Sequence, residues 1–197
     1  KNSKLSIAYF QELSLLEIQT NYKDGRSLQY IKDAKLLAPY RTLQANVIKS
    51  TLVMFLSEVL SNILREEEPQ ENLFEFLKTA FLLLDEEVSI SNFHILFLLE
   101  LTKYLGFYPE KTNLDLAYFN LLEGKFQKKS TSEYCVKNEN LVLLKRALGI
   151  KFDAFSEIKF SNNQRQSLLN MILLYFQLHL GDFKKPKSLA VLNQVFN

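Results

Sequence analysis

A chain of 197 residues that is 47% apolar and 13% aromatic can bury a sizeable core, which excludes intrinsic disorder. Its five glycines are scattered and it has one cysteine, Cys135, which excludes a glycine-rich phosphate loop, an intrachain disulfide and a multi-cysteine zinc site. The net charge of +2 hides an uneven spread: residues 1–50 carry eight Lys/Arg against four Asp/Glu, residues 51–100 two against ten, and residues 101–197 fourteen against eight.

In chain order, apolar and polar residues alternate roughly over Leu13–Tyr22 and again through Leu28, Tyr30 and Lys32. Asp24-Gly25 between them is a tight-turn signal. This predicts a β-hairpin with strands near 13–22 and 27–36. A lone hairpin is marginal in water, so further strands or a helical partner must cover it. The chain opens at Lys1 without an initiator Met, beside a strand-like pattern, and reads as a fragment or a trimmed chain.

Pro39 marks a change of period. Ile48, Leu52, Phe55, Val59 and Ile63 share one helical face from Asn46 onward. Glu66, Glu67, Glu68 and Pro69 end that helix. Asn72 with Glu75 reads as a capping box opening a helix to about Leu84. Residues 91–105 are apolar nearly all round, the mark of a helix in the middle of a bundle, and Gly106 and Pro109 stop it. Residues 110–137 are mixed, with a loop at Lys128–Ser132. Shorter helices are expected near 138–148, closed by Gly149, and near 153–159. Ser161 with Gln164 is a second capping box, opening a long helix to Leu180. Ser188 caps a last helix to about Phe196. No stretch is apolar for long enough to span a bilayer.

The catalytic signals are weak. His94 and His179 lie singly within apolar helices and fit core or boundary positions better than a ligand or general base. Cys135 has no base near it in sequence. Glu66, Glu67, Glu68 and Glu71 fit a solvated helix end, although a helix C-terminus prefers cations. The basic residues suggest more. Lys1, Lys4, Lys23, Arg26, Lys32, Lys35 and Arg41 fall on or beside the hairpin, interleaved with Tyr9, Phe10, Tyr22 and Tyr30. Cations track a phosphate backbone and exposed aromatic rings stack on bases, a combination suited to single-stranded nucleic acid. The competing reading places the rings in the core and makes the lysines a guard against edge-strand pairing. A second cluster, Lys184, Lys185 and Lys187, precedes the last helix and suits a phosphate or an acidic peptide.

Several segments together resemble RecO, the bacterial recombination mediator, in its Bacteroidetes form. They are KLSIAYFQELSLLEIQ (4–19), LQYIKDAKLL (28–37), VLSNILREEEPQENLFEFL (59–77), NFHILFLLELTKYLGFYP (92–109), YFNLLEGKF (118–126) and HLGDFKKPKSLAVLNQVF (179–196). The ordered set spans nearly the whole chain. The resemblance implies an OB barrel followed by a helical domain. The expected fold is therefore α+β and mostly helical, with a C-terminal all-α domain preceded by a hairpin that is the remainder of the barrel. Residues 1–38 would be its last two strands, the first three missing, and residues 39–197 the helical domain.

It also implies a non-enzymatic protein in the cytoplasm, associated with the nucleoid. Such a protein binds and anneals single- and double-stranded DNA, associates with RecR and recognises the acidic C-terminal tail of single-strand-binding protein. With these it helps load RecA onto coated strands. Some members carry a four-cysteine zinc site near the stretch equivalent to 118–136. With Cys135 alone, no zinc or other cofactor is expected here. Lys1, Lys4, Lys23 and Arg26 are carried over as DNA contacts, and Lys184, Lys185 and Lys187 are assigned to the tail on charge alone. A helical protein–protein adaptor without DNA affinity, and an enzyme using His94, His179 or Cys135, are the competing readings.

Overall fold

The computed structural model describes residues 7–64 and 69–196. Strands β1 (Leu15–Asn21) and β2 (Tyr30–Ala38) pair antiparallel as a two-stranded ribbon among the described residues. Gln19 pairs with Asp33 and Thr20 with Ile31, so Lys32 is an extra residue in β2; Leu37 is likewise extra between Leu36 and Ala38. Such bulges sharpen the twist of a ribbon. Cross-strand partners share a face. Leu16/Leu36, Ile18/Ala34 and Thr20/Ile31 therefore form an apolar side, and Glu17/Lys35, Gln19/Asp33 and Asn21/Tyr30 a polar one. Ile18 and Leu36 remain exposed.

Among the described residues six α-helices follow: α1 (Val47–Ile63), α2 (Glu71–Glu86), α3 (Phe93–Tyr104), α4 (Asn138–Leu148), α5 (Asn162–His179) and α6 (Leu189–Val195). Asn46 caps α1 by accepting the N–H groups of Ile48 and Lys49, and Ser161 with Gln164 forms the expected capping box on α5. Two caps differ from expectation. Helix α2 opens one residue before Asn72, at Glu71, with Gln70 at the cap position and no side-chain cap bond. At α6, Ser188 stands at the cap position but the capping group comes from α1. Both carboxylate oxygens of Glu58 are used: they accept the N–H of Lys187 at 2.8 Å, the N–H of Ser188 at 2.9 Å and the Ser188 hydroxyl at 2.5 Å. The helix expected near 153–159 is a single 3-10 turn, Phe152–Ala154.

Helix α3 is buried from Phe93 to Leu99 and at Leu101 and Thr102, as a helix apolar on all sides must be. Phe76, Phe81, Phe93, Phe97, Phe152 and Phe155 pack ring against ring around it.

The helical part is not all-α. Strands β3 (Tyr118–Asn120), β4 (Lys125–Gln127) and β5 (Cys135–Val136) form a small antiparallel sheet with β3 in the centre. Gly124 makes its turn at φ +66°, where a Cβ would lie 2.6 Å from the Tyr175 hydroxyl.

A single carboxylate fastens the ribbon to the helices. Asp85, buried at the end of α2, accepts the backbone N–H groups of Arg41, Thr42 and Leu43 at 2.8, 2.7 and 3.0 Å. Lys49, buried on α1, donates to the Asp85 carbonyl and to the Thr42 hydroxyl, each at 2.7 Å. Tyr40 donates its hydroxyl to the Leu13 carbonyl at 3.0 Å, closing the ribbon's root from the other side. Burial, then the Asp85 charge, pushes Tyr40 up to about 12.

Candidate nucleic-acid interface

The connection between β1 and β2, residues 22–29, is longer than a two-residue turn and is ordered by its own polar groups. Gln29 Oε1 accepts the Lys23 N–H at 2.9 Å, while Gln29 Nε2 donates to the carbonyls of Lys23 and Arg26 at 2.9 and 3.0 Å. Asp24 Oδ1 accepts the N–H of Gly25 at 3.0 Å. Gly25 sits at φ +75°, a conformation costly to other residues.

The tip of this loop carries the exposed side chains of Lys23 and Arg26. Tyr22 and Tyr30 flank them, each 75% exposed. Of the two readings of the aromatic residues, these two rings follow the solvent-facing one. Cations beside open π-faces offer charge to a polyanion and stacking surface to its bases.

The other basic residues of the first segment are placed differently. Lys32 is exposed at the bulge. Lys35 is directly opposite Glu17 and ion-paired with it at 3.0 Å. Arg41 has an exposed side chain, while its backbone belongs to the Asp85 clamp. Lys1 and Lys4 lie outside the described residues, as do Glu66, Glu67 and Glu68 of the acidic run. Gln29 left no mark in the sequence, because a carboxamide at a loop's end reads as one more polar residue until its partners are seen.

The second cluster sits in the segment between α5 and α6. Lys184, Lys185 and Lys187 are exposed, alternating with buried Phe183, Pro186 and Ser188. Lys185 Nζ donates to Asn170 on α5 at 3.1 Å. Asn170 also lines a groove of about 500 Å³ between β5 and α5. Leu121, Val136, Met171 and Leu174 give the groove an apolar lining, which Lys137 and Glu133 share. An apolar trough with cations beside it suits an amphipathic acidic segment.

Cys135 opens on the same groove. Its sulfur accepts hydrogen bonds from Gln127 Nε2 at 3.1 Å and the Thr131 N–H at 3.4 Å. Burial opposes ionisation, but the donors from Thr131 and Ser132 outweigh it and bring the thiol down to about 7. Among the described residues no three His, Cys, Asp or Glu side chains converge on a point that could hold a metal ion. The surroundings of Cys135 therefore do not fit a zinc ion.

Neither histidine forms a hydrogen bond to Cys135 or to the other histidine among the described residues. His179 bonds the Leu121 carbonyl through Nε2 at 2.8 Å and stacks on Phe107. His94 is buried between the rings of Phe55 and Phe196, with Nδ1 lacking a partner. Burial, then the Arg165 charge, pushes His94 down to about 3. No helix of the described residues is long and apolar enough to cross a membrane.

A clamped ribbon with a cationic, aromatic tip on a mostly helical body makes this an α+β protein. Comparison with known proteins gives the family. Residues 44–190 match the family model for the C-terminal part of recombination protein O. The chain is 47% identical over its full length to the DNA repair protein RecO of Christiangramia forsetii, covering 82% of that protein. It is 44% identical to that of Flavobacterium johnsoniae, again with 82% covered, and 32% identical to that of Bacteroides fragilis, with 83% covered. The whole chain is aligned in each case. The chain belongs to the RecO family, and this kinship supports a role in DNA repair and recombination. No solved structure matches it.

Proposed function

We propose that this chain is a non-enzymatic recombination mediator that binds and anneals DNA through the tip of its ribbon. In this reading residues 1–38 are part of an OB barrel and residues 39–197 the helical domain. With RecR, the protein helps load RecA onto strands coated by single-strand-binding protein in the cytoplasm. The observation that carries the reading is the exposure of Lys23 and Arg26 between two open tyrosines. Lys1, Lys4, Lys32, Lys35 and Arg41 are the remaining proposed DNA contacts. The charge of Lys35 is partly engaged by Glu17. The groove beside Lys185 is the proposed seat of the acidic tail, with Lys184 and Lys187 adding long-range attraction.

The mechanism is one of proximity. Basic side chains displace counterions from phosphates, tyrosines stack on unpaired bases, and the tail contact holds a coated strand beside a bare one at high effective concentration. The test is fluorescence anisotropy with a single-stranded oligonucleotide across a salt series. The logarithm of affinity should fall linearly with the logarithm of salt, by about 0.7 for each phosphate contact. Substituting Lys23 and Arg26 by Ala should lower both affinity and slope, and an unchanged slope would remove the proposal. The groove is also what favours the second reading, an adaptor without DNA affinity. That reading requires acidic-peptide binding with no oligonucleotide binding.

A further inference from the structure

We propose that Gln29 is the positioning residue of the ribbon tip: its carboxamide fixes the loop so that Lys23 and Arg26 are presented together as one cationic unit. The inference rests on the reading of the tip as a nucleic-acid interface.

Residues 22–29 form a long connection for a β-hairpin, and an unconstrained loop of this kind would have to be ordered at the moment of binding. Gln29 removes that cost beforehand. One side chain at the mouth of the loop engages three backbone groups, the N–H and C=O of Lys23 and the C=O of Arg26. The Arg26 N–H reaches back to the Lys23 carbonyl at 3.4 Å, so both basic residues belong to one small hydrogen-bonded ring. Among the described residues no ion pair joins either cation to a carboxylate.

The chemistry is specific to a carboxamide of this length. It supplies one acceptor for the amide and two donors for the carbonyls. A carboxylate would confront both carbonyls with acceptor oxygens, and asparagine is one methylene shorter.

The test is a double-mutant cycle on the full chain, with single-stranded oligonucleotide affinity read across a salt series. Gln29→Ala should lower affinity several-fold and flatten the salt slope in the direction of the Lys23→Ala/Arg26→Ala protein. Added to that double variant, it should cost nothing more. Gln29→Glu should reproduce the loss, although it keeps the size of the side chain. In both Gln29 variants the Lys23 amide should exchange its hydrogen faster, while the melting temperature stays near the parent's.

If Gln29→Ala binds like the parent while the double variant is impaired, positioning by Gln29 is wrong and the interface stands. If it costs the same in both backgrounds, Gln29 acts independently of the two cations, and positioning is again wrong. If the double variant binds like the parent, the interface itself is misplaced and the inference falls with it.

Discussion

The carboxylate of Asp85 accepts the backbone N–H of Thr42 at 2.7 Å, joining positions 43 apart in the chain. With the amides of Arg41 and Leu43 it collects three main-chain donors that have no helix or strand to satisfy them. Asp85→Asn keeps the shape but turns an NH2 group toward one of these donors. It should cost about 2 kcal/mol, read by urea unfolding at pH 7. Burial favours the neutral acid, yet the amides of Arg41, Thr42 and Leu43 and the Thr42 hydroxyl outweigh it and hold the carboxyl below its ordinary value of 3.8. The resulting stability is complete above the unfolded value and is lost as pH falls through the lower folded one. The parent should therefore lose more stability below about pH 4 than Asp85→Asn does.

His94 acts in a higher window. Its ordinary value is 6.5, and in the fold it is held at about 3. Between these, the unfolded chain takes up a proton that the folded protein refuses, so stability falls as pH falls, by up to about 1.4 kcal/mol per pH unit. His94→Leu removes the titrating group and a buried nitrogen without a partner. Its unfolding free energy should stay within about 1.5 kcal/mol of the parent at pH 7 and vary less between pH 6.5 and pH 4. Urea titrations at pH 7, 5.5 and 4 would decide it, and equal slopes for the two proteins would refute the assignment.

Gly124 and Tyr175 should behave as a coupled pair. A methyl group at Gly124 would collide with the Tyr175 hydroxyl, and the backbone there is left-handed. Gly124→Ala should cost about 2 kcal/mol. Tyr175→Phe should cost about 1 kcal/mol, because its hydroxyl bonds the Phe107 carbonyl at 2.7 Å. With the hydroxyl gone, the nearest ring atom lies 3.8 Å from the added Cβ. The double variant should therefore be more stable than the sum of the two losses, measured by thermal unfolding.

Glu58→Gln should loosen α6. Replacing one carboxylate oxygen by NH2 leaves a donor of the Lys187–Ser188 turn without its acceptor. The cost should be about 1 kcal/mol, the scale of a lost N-cap. Hydrogen exchange should quicken at the Lys187 or Ser188 amide well before the body of the protein melts.

What could be read in advance had local causes. Alternation and Asp24-Gly25 place the hairpin; Asn46, Gly149 and the Ser161–Gln164 box place three helix ends, because those residues bond within their own turns. The β3–β4–β5 sheet escapes notice, since strands of two or three residues are too short to establish a period. The α6 cap escapes because its carboxylate comes from Glu58, 130 positions away. At the candidate site, Asp24-Gly25 puts Lys23 and Arg26 at a turn, whereas the sequence leaves Tyr22 and Tyr30 open between core and surface and only the fold shows them exposed. The pairing of Lys35 with Glu17 depends on strand register, which the Lys32 bulge shifts by one residue. The groove depends on α5 meeting β5, a contact with no local signature.

Because Asp85 and Tyr40 hold the ribbon at its root, the turn that carries Lys23 and Arg26 lies roughly 24 Å away along the strands, taking seven residues at ~3.4 Å each. Clamp and tip are therefore separable: a change at Asp85 re-aims the ribbon as a whole, whereas a change at Gln29 re-aims Lys23 and Arg26 alone.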